Sequence, residues 1–433
     1  MRRLLTLRGW PLVPQIVVAA ALAAVVAALA FGDANPEHNL GMYLLWGLWW
    51  AVLPLSFVVL GRLWCAICPV TLLGDWAAQA FPGRPAFPGF VGRNAAVFLV
   101  ASFAAVHLAN LWFAFEGERR ATGALLAVLG SAAFALTLSF RDRRWCSALC
   151  PVGAMGSFLA RLSLLRIANG AAPCPRECAL RACDAGGAGP TLCPVGLDLR
   201  AGIDPGACIL CGACLKACPR LGEVGWAPRG QDRPASPPAA QSLAVLAFLG
   251  LAIDMALAHL VDWPILFWQL STSLGLAAGA WTETALHLGV IAAPPLLAVA
   301  LLLFAPTGRS ADVRLAALAA PALPLAGAGL LAVTLRPLLV EGPLQLQQLL
   351  RGAGWEGALA LGVLRRLDGF PMRVLQETVV VAGILVALRA ALKRPGQGGP
   401  AGADGAGGGW QGAALVLLAG VALLWICSRQ MTS

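Results

Sequence analysis

Cysteine is the residue type whose spacing points most directly to chemistry in this chain. Eight of the thirteen cysteines fall between residues 174 and 218, and they are Cys174, Cys178, Cys183, Cys193, Cys208, Cys211, Cys214 and Cys218. The last four follow the pattern C-x2-C-x2-C-x3-C-P, in which three thiolates hold one [4Fe–4S] cluster and the fourth ligates a neighbouring cluster. The spacing therefore predicts a module that binds two [4Fe–4S] clusters.

The exchange of fourth ligands divides these cysteines between the two clusters. The predicted ligands of cluster 1 are Cys174, Cys178, Cys183 and Cys218. The predicted ligands of cluster 2 are Cys193, Cys208, Cys211 and Cys214. Zinc also accepts four thiolates, and secreted disulfide frameworks also contain even numbers of cysteines. The arginine-rich flanks of the module favour a cytoplasmic position, which argues against disulfides.

Two further cysteine pairs lie in segments that echo each other along the chain. The segments RLWCAICPVTLLGDW and RDRRWCSALCPVGAMG contain Cys65 with Cys68 and Cys146 with Cys150. Because proline suits the first position of a helix, Cys68 and Cys150 are predicted to cap helices. The helix dipole and nearby arginines are expected to lower the pKa of a thiol there. The four cysteines could form a redox relay of dithiols or one four-thiolate metal site, and buried, unreactive cysteines are the remaining alternative.

Ionisable side chains inside apolar runs form a second set of candidates, because their burial in a membrane is costly. The polar candidates are His107, Asn110, Asp254, His259, Glu283 and His287. The three histidines could ligate haem b or bind a quinone headgroup, or they could hydrogen-bond to backbone or water at the interface. Asp254 is the predicted proton-handling residue, and a hydrogen bond to another helix is its alternative. Cys427 is assigned no role.

The elements that must position these residues are membrane helices. Of the 433 residues, 59% are hydrophobic and 12% are charged, and many apolar runs have the length of about 20 residues that crosses a bilayer. The net charge of +10 comes from arginines in short loops, which is typical of cytoplasmic flanks, so no nucleic acid is expected as a partner. The predicted fold class is an all-α polytopic membrane protein with an inserted small two-cluster ferredoxin-like α+β module.

Four regions follow from this pattern. They are an N-terminal membrane region with four spans (1–170), the ferredoxin module (171–225), a linker (226–240), and a C-terminal membrane region with about five spans and a Gly-rich linker at 393–409 (241–433). The first apolar run, Val13–Phe31, could be a signal peptide, but its length favours a retained helix. Residues 264–281 are expected to re-enter or to lie at the interface, and residues 336–373 are predicted to form a long loop.

The order of these features resembles a known family. Four spans with a Cys-pair–Pro motif after the second and the fourth, followed by a two-cluster ferredoxin, are similar to the membrane polyferredoxins of the NapH, NosR and CcoG type. The string CPVGLDLRAGIDPGACILCGACLKAC, residues 193–218, is especially similar to the ferredoxin segment of the cytochrome oxidase assembly proteins among them. The resemblance covers roughly residues 40–225, about half of the chain. It implies electron transfer between membrane quinone and a redox partner protein, as in a quinol-dehydrogenase subunit.

Two functions are therefore expected. In the first, the protein lies in a bacterial inner membrane with its ferredoxin module in the cytoplasm. It passes electrons between the quinone pool, or a cytoplasmic donor, and a redox partner protein. In the second, it is an assembly or regulatory factor for a respiratory metalloenzyme, and its clusters sense redox state or reduce a metal. Fully ligated clusters favour transfer, whereas a labile cluster at the irregular first motif would favour sensing.

Overall fold

The computed structural model describes most of the chain. The described residues are 2–72, 81, 83–140, 142–167, 193–197, 203–217, 224–226, 238–260, 263–277, 279–304, 310–352, 354–392 and 409–428. All four predicted ligands of cluster 1, Cys174, Cys178, Cys183 and Cys218, lie outside these residues, and so does the predicted Gly-rich linker at 393–409 except for Gly409.

The N-terminal region is helical, as its apolar runs predict. Its helices are α1 (Arg2–Thr6), α2 (Leu12–Phe31), α3 (Leu40–Leu60), α4 (Leu63–Ala66), α5 (Gly89–Arg93), α6 (Ala95–Phe113), α7 (Arg119–Ser139) and α8 (Pro151–Leu159). Of these, α2, α3, α6 and α7 are long and apolar enough to cross a membrane. Their number is the one predicted, and each Cys-pair–Pro motif directly follows α3 or α7.

The C-terminal region supplies five more helices of membrane-spanning length. One short helix, α9 (Ala213–Ala217), follows Cys211 and precedes this region. The helices of the region are α10 (Ala239–Leu260), α11 (Trp263–Ser273), α12 (Ala280–Phe304), α13 (Ala311–Arg336), α14 (Gly342–Gly352), α15 (Phe370–Leu392) and α16 (Gly409–Ser428). The long apolar ones are α10, α12, α13, α15 and α16, and α13 runs on into α14. With 11 residues, α11 is too short to span a bilayer, as expected for a re-entrant or interfacial segment.

Residues 336–373 are not the long loop that the sequence predicted. They contain a π-helical segment at Pro337–Glu341, then α14, then a 3₁₀ helix at Glu356–Leu367. In α14 the leucines Leu346, Leu349 and Leu350 recur at helical spacing among glutamines, which gives the helix one apolar face. The prediction gave too much weight to the arginines of this stretch and too little to this periodicity.

Two short strands frame the ferredoxin segment. Strand β1 (Leu165–Ile167) pairs in antiparallel orientation with β2 (Val224–Trp226), and Leu165 lies opposite Trp226. Leu165 and Ile167 are both buried, because alternate residues of a strand point to the same face. The chain therefore enters and leaves the segment between residues 168 and 223 at neighbouring positions.

One hydrophobic core joins the two membrane regions. Helix α10 packs against α6, α12 and α13, and α13 packs against α15 and α16. The aromatic ring of Phe158 on α8 stacks on Phe248 of α10, with 4.5 Å between ring centroids. The helix that follows the second cysteine pair is therefore held directly by the C-terminal bundle.

Candidate iron–sulfur sites

Four of the predicted ligands face one cavity beside β1. Cys193, Cys208, Cys211 and Cys214, here the ferredoxin group, all line a space of about 350 Å³, part of which is open to solvent. The chain reverses between them because Leu210 and Gly212 adopt positive φ angles of 56° and 76°. Glycine is required at position 212, since a Cβ atom there would collide with the carbonyl oxygen of Leu5. The reversal brings the sulfurs of a short segment to one side.

The surroundings of the ferredoxin group suit a bound cluster. The apolar residues that line the cavity are Ile167, Val195, Leu197, Ile203 and Ile209. Backbone N–H groups of Leu210, Ala213 and Leu215 lie beside the thiols of Cys208, Cys211 and Cys214 and favour their ionised forms, although burial is the larger effect and raises the three pKa values. N–H groups close to cluster sulfurs are one of the means by which proteins tune cluster potentials. Four thiols, nearby N–H groups and apolar walls together fit a [4Fe–4S] cluster.

The second set of cysteines, which we call the membrane-face group, consists of Cys65, Cys68, Cys146 and Cys150. All six pairs among these four thiols interact electrostatically, so the two motifs converge on one place. Cys150 is the N-cap of α8, with Pro151 at the first helical position and the Gly153 N–H donating to Cys150 Sγ at 3.4 Å. The predicted helix cap at Cys150 is therefore confirmed.

The expected lowering of the thiol pKa values is wrong. Burial raises the pKa of Cys68 to about 12, and it raises the pKa values of Cys146 and Cys150 as well. The backbone N–H of Gly153 and the charge of Arg62 act in the opposite direction on Cys150, but desolvation is the larger effect. Thiols this reluctant to ionise are poor free nucleophiles, whereas a coordinated metal deprotonates a thiol outright.

The spacing of the sulfurs bears on which metal they could hold. Among the described residues, the one group of three or more His, Cys, Asp or Glu side chains whose ligand atoms all lie within 4.8 Å of one another contains no cysteine. Four thiolates around one zinc ion at about 2.3 Å would bring their sulfurs within about 4 Å of one another. In neither cysteine group, as far as the residues are described, do three sulfurs lie within 4.8 Å of one another, so neither has the arrangement of a single-ion zinc site.

Arg62 ties the membrane-face group to the ferredoxin segment. Its side chain is fully buried and donates to the Ser147 hydroxyl at 2.9 Å, to the Gly206 carbonyl at 2.9 Å and to the Cys146 carbonyl at 3.0 Å. Its charge also interacts with the thiol of Cys65. One guanidinium thus contacts both cysteine motifs and the loop before Cys208.

Arg143 lies between the two cysteine groups. Its charge acts on Cys68 and Cys146 on one side and on Cys211 on the other. Its backbone N–H donates to the carbonyl of Pro194, next to Cys193, at 2.8 Å, and its side chain donates to the Thr71 carbonyl at 3.0 Å. The membrane-face group and the ferredoxin group are therefore neighbours across one buried arginine.

Two more arginines hold the ferredoxin segment on this face. Arg144 donates to the Gly196 carbonyl at 3.3 Å, and Arg161 lies 3.7 Å from the carboxylate of Asp204. From the sequence, these arginines counted only as positive flanks of membrane spans. Arginines recur close before a cysteine in the RLWC and RRWC segments, and this repetition was the available signal for a contact role of Arg62, Arg143 and Arg144.

The N-terminal segment also packs against the ferredoxin group. Leu5 of α1 is fully buried in a cluster that includes Leu210, Cys214 and Leu215. The Trp10 indole donates to the Leu210 carbonyl at 3.3 Å, and the Lys216 ammonium donates to the Trp10 carbonyl at 2.5 Å. The N-terminal segment therefore forms one wall of the ferredoxin group.

The intramembrane candidates divide into two places. His107, Asp254 and His287 meet inside the bundle, whereas His259 lies 3.9 Å from Glu116, whose carboxylate also accepts from the Asn110 amide at 3.4 Å. Glu283 is in the first turn of α12. The convergence of His107, Asp254 and His287 was not predicted, although each lies six or seven residues from the end of its helix away from the cysteines, which was the available signal.

Comparisons with known proteins agree with these cysteine groups. A family model described as a 4Fe-4S binding domain matches residues 43–88 and 123–168, which contain the membrane-face group. A second model with the same description matches residues 201–221, which contain Cys208, Cys211, Cys214 and Cys218. No curated protein and no solved structure matches the chain. The matched domains, together with the nine apolar helices of spanning length among the described residues, fit a polyferredoxin-like protein of a membrane, and they support an iron–sulfur electron-transfer role.

Proposed function

We propose that this protein is a membrane polyferredoxin of the NapH, NosR and CcoG type that carries electrons between the membrane and a redox partner. The observation that carries the proposal is the placement of two four-cysteine groups side by side, with Arg143 between them. Each group lies in or next to a segment that matches a 4Fe-4S binding domain. Two adjacent cysteine groups of this kind form a path for electrons between the membrane-face group and the ferredoxin group.

The proposed ligands of cluster 2 are the ferredoxin group. The proposed ligands of cluster 1 are Cys174, Cys178, Cys183 and Cys218, which rest on cysteine spacing alone. When bound, a [4Fe–4S] cluster supplies a site that accepts and releases a single electron. The chain supplies thiolates, backbone N–H groups beside them, and walls that are mostly apolar.

The membrane-face group is the proposed relay between membrane and ferredoxin module. Its buried, hard-to-ionise thiols suit metal-bound thiolates better than freely exchanging dithiols. We therefore propose that Cys65, Cys68, Cys146 and Cys150 hold a further iron–sulfur cluster. Arg62 and Arg143 compensate the negative charge that four thiolates bring to this buried place.

We propose a bacterial inner-membrane location with the ferredoxin module in the cytoplasm, and membrane quinone as the electron donor or acceptor. The arginines on the module's side of α3 and α7 support that orientation. Proton handling by Asp254 remains a prediction, and so does a quinol-dehydrogenase role. Ligation of haem b by His107 and His287 has less support, because Asp254 engages both imidazoles.

Metal analysis of anaerobically purified protein tests the proposal. Two clusters give about eight irons and eight sulfides per chain, and a third in the membrane-face group gives about twelve of each. Electron paramagnetic resonance (EPR) spectra recorded before and after addition of a quinol then show whether the clusters accept electrons from it. Stoichiometric zinc without a visible chromophore would defeat the proposal, and reducible clusters that a quinol leaves oxidised would remove the quinone from it.

A further inference from the structure

Three ionisable side chains from three membrane spans meet inside the bundle, remote from the cysteine groups. His107 lies on α6, Asp254 on α10 and His287 on α12. The Asp254 carboxylate is 2.8 Å from His107 Nε2, and its two oxygens are 2.8 and 2.9 Å from His287 Nδ1. We call these residues the intramembrane triad.

The triad lies at one level of the bundle, near the end opposite the cysteines. His107 is six residues before the end of α6, Asp254 is six residues before the end of α10, and His287 is seven residues after the start of α12. At 1.5 Å per residue, each is about 9 to 10 Å from its helix end. Three separate helices therefore present polar atoms to one point inside the apolar layer.

This point is almost closed to solvent. The side chains of Asp254 and His287 are fully buried, and that of His107 is 8% exposed. A carboxylate buried in an apolar layer is stabilised by a positive charge in contact with it. A bound cation at the triad would supply that charge.

We propose that the intramembrane triad binds a divalent transition-metal ion. One ligand atom from each residue can be chosen so that all three lie within 4.8 Å of one another. Imidazole nitrogen and carboxylate oxygen are common ligands of Zn²⁺, and two histidines with one carboxylate also suit Fe²⁺. Three protein ligands leave coordination positions open, as in exchangeable or catalytic sites rather than closed structural ones. The triad shares no residue with the cysteine groups, so the inference does not depend on the proposed electron transfer.

The nearer end of the bundle offers an entry side for the ion. Glu116 and His259 form a pair 3.9 Å apart there, and their side chains are 39% and 29% exposed. His259 is five residues beyond Asp254 on the same helix. A carboxylate and an imidazole at the exposed end provide the same ligand types as the triad itself, between water and the buried site.

Metal counting against sulfide separates the triad from the iron–sulfur clusters. In [4Fe–4S] clusters iron and sulfide are equal in number, so a metal at the triad shows as an excess over sulfide. The full chain is purified anaerobically, incubated with Zn²⁺, freed of unbound ions by gel filtration and analysed for metals and sulfide. We expect an excess of about one metal ion per chain in the unmodified protein and its loss in Asp254→Asn and His287→Gln.

The controls keep this result interpretable. His38→Gln removes an exposed imidazole from the short 3₁₀ helix Pro36–His38 and should keep the excess ion. Sulfide content and thermal unfolding of Asp254→Asn should equal those of the unmodified protein, and if they do not, His107→Asn provides a milder change at the same site. If the excess is missing from the unmodified protein after Zn²⁺ treatment, or is equal in all variants with normal sulfide, the triad is a hydrogen-bonded group and not a metal site.

Discussion

Arg143 is the residue through which the two cysteine groups influence each other most directly. It is buried between Cys68 and Cys146 on one side and Cys211 on the other. Burial lowers the pKa of Arg143, while the nearby thiols act to raise it, so thiolates at either group favour its charged form. A fixed positive charge beside a cluster makes the addition of an electron more favourable.

Replacing Arg143 by Gln should therefore lower the reduction potential of the cluster held by the ferredoxin group. We expect a shift of about 50 mV, the size of a charge interaction in a partly screened site, measured by EPR during a redox titration. Arg93→Gln, at an exposed position at the end of α5, is the control and should leave the potential in place. A potential that is unchanged in Arg143→Gln would show that this charge does not act on the cluster.

The membrane-face group gives a second prediction at single residues. Cys150→Ser should lower the content of iron and of sulfide by about four each, while the EPR signals of the ferredoxin clusters persist. Quinol-dependent reduction of those clusters should then be slowed. The control is Cys427→Ser, which replaces a buried cysteine on α16. Cys427 belongs to neither cysteine motif, so the iron content of this variant should stay normal. If Cys150→Ser keeps the iron content and the rate of quinol-dependent cluster reduction of the unmodified protein, the pair Cys146 and Cys150 has only a structural role.

At the scale of elements, α1 matters because it covers the ferredoxin group. Leu5 is fully buried and the preceding Leu4 is 41% exposed, so adjacent leucines of one short helix differ in what they contact. Leu5 lies among Leu210, Cys214 and Leu215. The helix thus acts as a wall of a site whose ligands are some two hundred residues away in sequence.

Leu5→Ala should weaken this site by opening a cavity next to it. The expected loss of stability is about 2 to 5 kcal/mol, seen as release of the cluster chromophore at a lower temperature or lower denaturant concentration. Leu4→Ala removes the same atoms from an exposed position. It should release its cluster at the same temperature and denaturant concentration as the unmodified protein. Equal release in both variants would mean that α1 does not support the ferredoxin group.

Sequence reasoning captured features that are local in the chain and missed those that depend on long-range contacts. The number of spans follows from apolar run length, and the cap at Cys150 follows from Pro151. The pKa values of Cys68 and Cys150 could not be obtained in this way, because they depend on burial by distant segments. The contacts of Arg62 and the meeting of His107 with Asp254 likewise depend on packing that periodicity does not specify.

For the whole molecule, the contacts at the N-terminus constrain the topology. Among the described residues, four apolar helices long enough to cross a membrane, α2, α3, α6 and α7, lie between α1 and α8. An even number of crossings would return the chain to the side where it began. The contacts of Leu5 and Trp10 with the ferredoxin group are consistent with that arrangement.

Reporter fusions test which side this is. A fluorescent protein inserted after Gly230 should fluoresce, and alkaline phosphatase at that position should be inactive, because both results mark the cytoplasm. The same two reporters inserted after Asp33, between α2 and α3, should give the reverse. Active phosphatase after Gly230 would invert the proposed orientation.

The packing of α1 on the ferredoxin group also has a consequence for how the protein is made. Leu5 leaves the ribosome roughly 200 residues before Gly212 and Cys214, an interval of about 10 to 40 s at common rates of translation. During that time four hydrophobic segments have to enter the bilayer. The face of α1 that packs on the ferredoxin group in the folded protein is still uncovered. Iron therefore cannot be delivered to a finished pocket until membrane insertion of the first half is complete, which makes cluster loading a late step of biogenesis.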